Sequence, residues 1–217
     1  MGNKIKFGLK NVHYAILTET PDQTTGAITS SYSEVRSWPG AVSLSLAPEG
    51  SDNPFFADDR VYYRVQKNNG YSGDFESALI PDDVYESVLN MQRDNDDILV
   101  ESAKNANSTV FFALLFEIDG DSKARRYCLY KCSLTRPTIA GATKEEDSTP
   151  QTETVTITAV PRADSDEYIR AVADESTDAT KYSGWFSDVP VPDFTQPTPP
   201  AEPAEPAEGD GLTDSNP

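Results

Sequence analysis

Apolar and polar residues alternate along much of this chain with a period of two. Val42, Leu44 and Leu46 alternate with Ser43 and Ser45, and Val155, Ile157 and Ala159 alternate with Thr154, Thr156 and Thr158. That period places apolar side chains on one face of a strand and polar ones on the other. The β-branched content of these stretches suits a pleated, half-buried surface. The run Asp58-Asp59-Arg60-Val61-Tyr62-Tyr63-Arg64-Val65 continues the strand character, NVHYAILT around His13 repeats it, and Tyr168 to Ala173 is a shorter candidate.

The strongest local signal is a hairpin. Residues 110–118, VFFALLFEI, are apolar on both faces and predict a central strand. Asp119-Gly120-Asp121 supplies the turn, because Asp-Gly tolerates the positive φ of a tight reversal. Residues 123–135, KARRYCLYKCSLT, form the return arm, and their arginines and lysine predict that it lies partly in water. One helix is expected among the strands. Pro81 suits a first turn, Asp82 and Asp83 favour the positive end of the helix dipole, and Val84, Tyr85, Val88 and Leu89 make a narrow apolar stripe. Arg93 falls near the negative end, giving about three turns. Residues 49–60 read as a long polar connection carrying Pro54-Phe55-Phe56, a pair that either tucks under its own loop or is covered by something else. The sum is a mainly β sandwich or barrel with one packed helix.

Composition then narrows the function. The chain has 217 residues, 37 % of them hydrophobic, a low share that leaves part of it outside a packed core. From residue 195 it reads TQPTPPAEPAEPAEGDGLTDSNP, predicted to be an extended, mobile acidic tail. With 36 acids against 18 bases, the formal charge is −18. The tail holds only Glu202, Glu205, Glu208, Asp210 and Asp214, so the body is acidic too. Such a surface repels phosphate and argues against groove binding to nucleic acid. The absence of a run of about 18 apolar residues argues against a membrane span. The start, MGNKIKFGLKNVHYAILTET, does not read as a secretory signal. The expectation is a soluble, cytoplasmic protein without cofactor.

Candidate chemistry is thin. His13 is the single imidazole, it has no Gly-x-Ser-x-Gly nucleophile elbow to serve, and it reads as a solvent-facing strand residue. Cys128 and Cys132, four apart on one strand, would sit about 13 Å from each other, beyond disulfide reach. They read as reduced, partly buried thiols and lack partners for zinc. The acidic pairs Asp58-Asp59, Asp82-Asp83, Asp96-Asp97 and Glu145-Glu146 read as turns and helix ends, since the run from Asp94 lacks the glycine and terminal Glu of a calcium loop. Asn107-Ser108-Thr109 matches a glycosylation sequon, which means nothing without export. An enzyme is not expected.

Four stretches in order carry a resemblance: NKIKFGLKNVHYAILTE at the start, YSGDFESALIPDDVYESVL at 71–89, FFALLFEIDGDSKARRYCLYKCSLTRPTI at 111–139, and TVTITAVP at 154–161. Together they resemble the major tail proteins of long-tailed, non-contractile bacteriophages and related prophages. The resemblance implies a tail-tube β domain over residues 1–194, with 195–217 as a disordered Pro/Ala/Glu-rich appendage. It implies hexameric rings stacked around a channel for DNA, located in the virion tail and assembled in the host cytoplasm. The partners implied are further copies of the chain, the tape measure, and tail-tip or terminator components, while DNA passes without specific binding.

On that reading Asp74 and Glu76, on the polar side of the strand before the helix, belong to the channel wall, with Phe75, Ser77 and Leu79 facing the other way. Both acids on an outer surface is the plainer alternative. Phe55, Phe56, Asp58 and Asp59 would form a loop that docks on a neighbouring subunit or ring. The acidic tail would lie outside the tube, as a spacer or a solubilising extension. A second function class also fits the pattern: an immunoglobulin-like β-sandwich adhesin stacking glycans on Tyr62, Tyr63, Trp38 or Trp185, although such aromatics commonly belong to a core or an interface.

Overall fold

A computed structural model describes residues 5–104, 109–120, 123–143 and 151–194. The Pro/Ala/Glu-rich segment from 195, Glu145-Glu146, Asp121, and Asn107 and Ser108 of the sequon lie outside those residues. The strands run β1 (Lys6–Pro21), β2 (Ile28–Tyr32), β3 (Arg36–Ser37), β4 (Ala41–Ala57), β5 (Arg60–Ser77), β6 (Gln92–Arg93), β7 (Leu99–Val100), β8 (Phe111–Gly120), β9 (Arg125–Leu134), β10 (Glu153–Ala159) and β11 (Arg170–Ala173). Two short helices are α1 (Asp82–Ser87) and α2 (Ala179–Ser183).

Among the described residues, nine strands join one antiparallel sheet in the order β2-β1-β8-β9-β10-β5-β4, with β11 on β9 and β3 on β1. β6 and β7 pair apart from it. The sheet curls until parts of β1 and β4 approach within 8 Å, giving a mainly β, sandwich-like body. As its continuous apolar run predicts, β8 is central, and Phe112 to Phe116 are all buried.

Two cores lie on the two faces. The inner one gathers Val12, Tyr14, Trp38, Phe75, Phe112, Leu114 and Ile157, with Val84 and Val88 of the helical segment. Trp38 meets Phe75 edge-on at 5.0 Å. The outer core packs Ala15, Leu115, Cys128 and Tyr130 under a C-terminal strap bearing Trp185 and Val189. Arg126 pins that strap, with its guanidinium 3.9 Å from the Tyr182 ring centroid.

The expected three-turn helix is shorter. α1 ends after Ser87, and Asn90 at φ 57° turns the chain back. Arg93 is therefore not in a last helical turn. It lies on β6 and folds over α1 to reach Asp82 (2.7 Å) and Glu86 (2.5 Å), as well as Asp97 (3.1 Å). Tyr14 Oη donates to Asp83 Oδ2 at 2.6 Å, so a carboxylate that suits the helix dipole also ties α1 to β1. α2 was not foreseen. Asp178 caps it by accepting from the N–H groups of Thr180 and Lys181, and Gly184 follows its last residue.

Bulges break the simple alternation. Between Lys10 and His13 the β1–β8 register shifts, and Asn11 takes φ 53°. A second shift places Leu129 and Cys132 opposite Leu114 and Phe112. Cys128 consequently faces the outer core and Cys132 the inner one. Both thiols are fully buried rather than partly so, and burial pushes both pKa values up. A third bulge ejects Val42 from the face it was expected to share with Leu44 and Leu46: Val42 is exposed, while they are half-buried. Lys131 on the return arm is also buried rather than in water, paired with Glu19 at 2.6 Å.

Gly70 marks where β5 leaves the sheet. Its φ is +112°, and a Cβ there would lie 1.8 Å from the carbonyl oxygen of Ala159. Gly70→Ala is expected to cost about 2–4 kcal/mol, combining left-handed strain with a backbone clash. Urea unfolding of the purified variant measures it.

Candidate functional site

Two surfaces stand out, and both belong to the β4–β5 pair. The first is the polar face where β4, β5 and β10 lie side by side. Register sets Ser43 beside Glu76 and Ser45 beside Asp74 across β4–β5, and Thr154 beside Glu76 and Thr156 beside Asp74 across β5–β10. Asp74 Oδ1 accepts from Thr156 Oγ1 at 3.1 Å. Glu76 accepts from Ser43 Oγ at 3.0 Å and from Thr152 Oγ1 at 2.5 Å. These two donors hold the Glu76 carboxyl below its usual range, so it keeps its charge in mild acid. Ser72 and Thr158 continue the row, their hydroxyls 3.3 Å apart.

The result is a face of hydroxyls and carboxylates whose strand positions 43, 45, 72, 74, 76, 154, 156 and 158 include no Lys or Arg. Asp74 is exposed and Glu76 half-exposed, while Phe75 and Ser77 turn inward, as the alternation predicts. Leu79 does not join them. It lies beyond the end of β5 and is 67 % exposed, because strand parity stops at Ser77.

The second surface corrects the expected loop at 49–60. Those residues are paired strand. Beyond the Glu49–Gly70 pair, β4 and β5 run on as a two-stranded arm with no third strand beside it among the described residues. Phe55 sits opposite Tyr63, and Phe56 opposite Val61 across a bulge. Asp58 and Asp59 form the tip at φ 51° and 58°, both positive as a type I′ turn requires. Phe55, Tyr62 and Tyr63 are all exposed, and Asp52 pairs with Arg64. The residues singled out for the loop are thus together at the end of the arm. The strand pairing was missed because Asp-Asp is an uncommon I′ pair and Pro54 argues for a loop.

Two strand edges are open as well. Among the described residues, Lys6 to Asn11 of β1 face β8 on one side and no strand on the other, and β4 pairs only with β5. A cleft of about 520 Å³ opens between these edges.

The remaining candidates are structural. His13 is half-buried rather than solvent-facing: it stacks on Phe186 at 4.8 Å, and its Nδ1 lies 2.9 Å from the Asn11 carbonyl oxygen. Trp38 and Trp185 are both buried, and the Trp185 indole N–H donates to the Tyr127 carbonyl at 3.3 Å, which removes them as sugar platforms. Asp96-Asp97 shape the β6–β7 turn, where Asp94 Oδ1 accepts from the N–H groups of Asp96 and Ile98. Among the described residues, no three His, Cys, Asp or Glu side chains converge as metal ligands would. No helix of the described residues is long and apolar enough to cross a membrane, which says nothing about spanning by strands.

No protein-family model matches the chain, and no curated protein matches it closely enough to count as a relative.

Proposed function

We propose that the chain is a structural, self-assembling subunit of a bacteriophage tail tube, forming stacked hexameric rings around a channel for DNA. The observation that carries the reading is the β4–β5 arm. A two-stranded hairpin is marginal alone in water, and this one adds exposed Phe55, Tyr62 and Tyr63. Such an arm is stabilised by packing on another copy. The open edges of β1 and β4 support the same reading, because an unpaired edge is completed by a neighbouring strand. Further support comes from the four sequence stretches that resemble major tail proteins.

On this reading the hydroxyl–carboxylate face bearing Asp74 and Glu76 lines the channel. Phosphate contacts by Lys or Arg add affinity through counterion release, so a wall without them lets DNA slide. Tape measure, tail-tip and terminator proteins are the heterologous partners, and the virion tail is the location.

Mass photometry and negative-stain electron microscopy across a concentration series, with and without an authentic tail-tip complex, test the assembly. Rings or hollow filaments are expected. A chain that stays monomeric even when seeded, and that binds a glycan array through Tyr62 and Tyr63, would establish the adhesin instead. The channel assignment has its own test. In assembled Asp74→Lys/Glu76→Lys tubes, a DNA duplex is expected to be retained at about 50 mM salt and released as salt rises. Wild-type tubes should retain none. Equal retention by both would put these acids on the outer surface.

A further inference from the structure

The cleft between β1 and β4 has a chemistry unlike the rest of the surface. Its floor includes Leu44, Tyr71, Phe116 and Tyr127, and the charged residues lining it are Lys6 and Arg170. Phe116 and Tyr127 stack at 5.0 Å, and the Arg170 guanidinium lies 5.2 Å from the Tyr71 ring centroid. In a chain with twice as many acids as bases, no Asp or Glu among the described residues lines this cleft. An aromatic floor with a cationic rim suits an extended segment that alternates proline with carboxylate.

We propose that the occupant is the chain's own C-terminal segment, residues 195–217. Pro197, Pro200, Pro203 and Pro206 recur every third residue, and so do Glu202, Glu205 and Glu208. A polyproline II helix has three residues per turn, so on docking the prolines form one ridge and the glutamates another. Proline ridges dock on aromatic-lined grooves, and the glutamate ridge then meets Lys6 and Arg170.

The tether permits it. Phe194, the last described residue, packs 6.2 Å from the ring of Tyr168, which lies against the outer core two residues before Arg170 on β11, so the segment has to round β11 to enter the cleft. Nine further residues reach Pro203, and at about 3.1 Å each they span about 28 Å, several strand spacings. A tethered segment also works at an effective concentration in the millimolar range, so a weak contact suffices.

The test places a nitroxide on the full-length Gly209→Cys chain. Cys128 and Cys132 are fully buried, so position 209 takes the label. Methyl resonances of Val42, Leu44 and Leu46 are expected to lose intensity relative to exposed Ile98. The loss should be relieved in about 1 M NaCl, where the Debye length falls to about 3 Å, and by Arg170→Glu or, as a second variant, Lys6→Glu. Groove methyls that broaden no more than Ile98 overturn the proposal. Equal broadening when nitroxide-bearing chains without isotope are mixed with isotope-labelled, nitroxide-free ones, where only contact between chains can produce it, overturns the assignment to the chain's own tail. Neither readout depends on ring formation, so failure of docking and failure of the tube reading are distinguishable.

Discussion

Joining Glu49 to Gly70 through an Asn-Gly turn, which deletes the β4–β5 arm, is expected to abolish ring and filament formation while moving the melting temperature by no more than about 2 °C. The two residues face each other across the ladder, so a two-residue type I′ turn closes the gap without changing register. Everything removed lies beyond the last residue of β5 that pairs with β10, Tyr71. Among the described side chains, neither core draws a buried residue from the deleted stretch, so the body is expected to lose little burial, and stability follows burial. The exposed aromatics at Phe55, Tyr62 and Tyr63 disappear with it. Thermal unfolding and mass photometry on one preparation separate the two effects. If the shortened chain assembles as well as the full one, the arm is not the assembly element. A large fall in melting temperature would instead mean that the arm supports its own body.

Glu19→Ala should do the reverse, costing about 3–5 kcal/mol of stability through the fold itself. Glu19 Oε2 lies 2.6 Å from Lys131 Nζ, with both side chains largely buried, and Glu19 Oε1 accepts from the Ala163 N–H at 2.8 Å. Lys131 Nζ is also 4.6 Å from the Phe111 ring centroid. Removing the carboxylate strands the buried Lys131 ammonium, the case in which a broken buried pair is most costly. At this chain length, a loss of that size lowers the melting temperature by about 10 °C. Glu19→Leu combined with Lys131→Met should recover much of it, since an apolar pair of similar volume removes both desolvation penalties. Urea unfolding of the three variants checks this. A single variant within about 1 kcal/mol of the parent would show that water reaches the pair.

The local code of the chain was legible where one rule governed a whole element. β8 was plain because it is apolar on both faces, and β10 because its threonines and aliphatics alternate without interruption. The inward turn of Phe75 and Ser77, opposite Asp74 and Glu76, followed from the same parity. Legibility failed wherever a single residue changed phase. Asn11, Val42 and the Tyr130–Lys131 step each insert a bulge, and beyond each one the facing of every side chain reverses. Periodicity cannot register that event, because a bulge leaves composition untouched. The helix was overextended for a similar reason: Leu89 continues the apolar stripe, but Asn90 leaves the helical region and Arg93 finds its carboxylates from a strand.

The amino-acid sequence by itself determined that this is a mainly β, acidic chain, because a two-residue period and an excess of carboxylates are local properties that packing cannot erase. It also determined the acidic and aromatic residues that mark the two candidate surfaces. Only the tertiary structure decided that Phe55, Phe56, Asp58 and Asp59 crown a paired arm rather than a loop. It also decided that Lys131 is buried, that the two cysteines face different cores, and that Lys6 and Arg170 meet across one cleft. Those outcomes depend on which strands become neighbours and in what register: β1 meets β8 through residues 94 to 114 positions apart, and even within the β8–β9 hairpin one register shift outweighs any local preference.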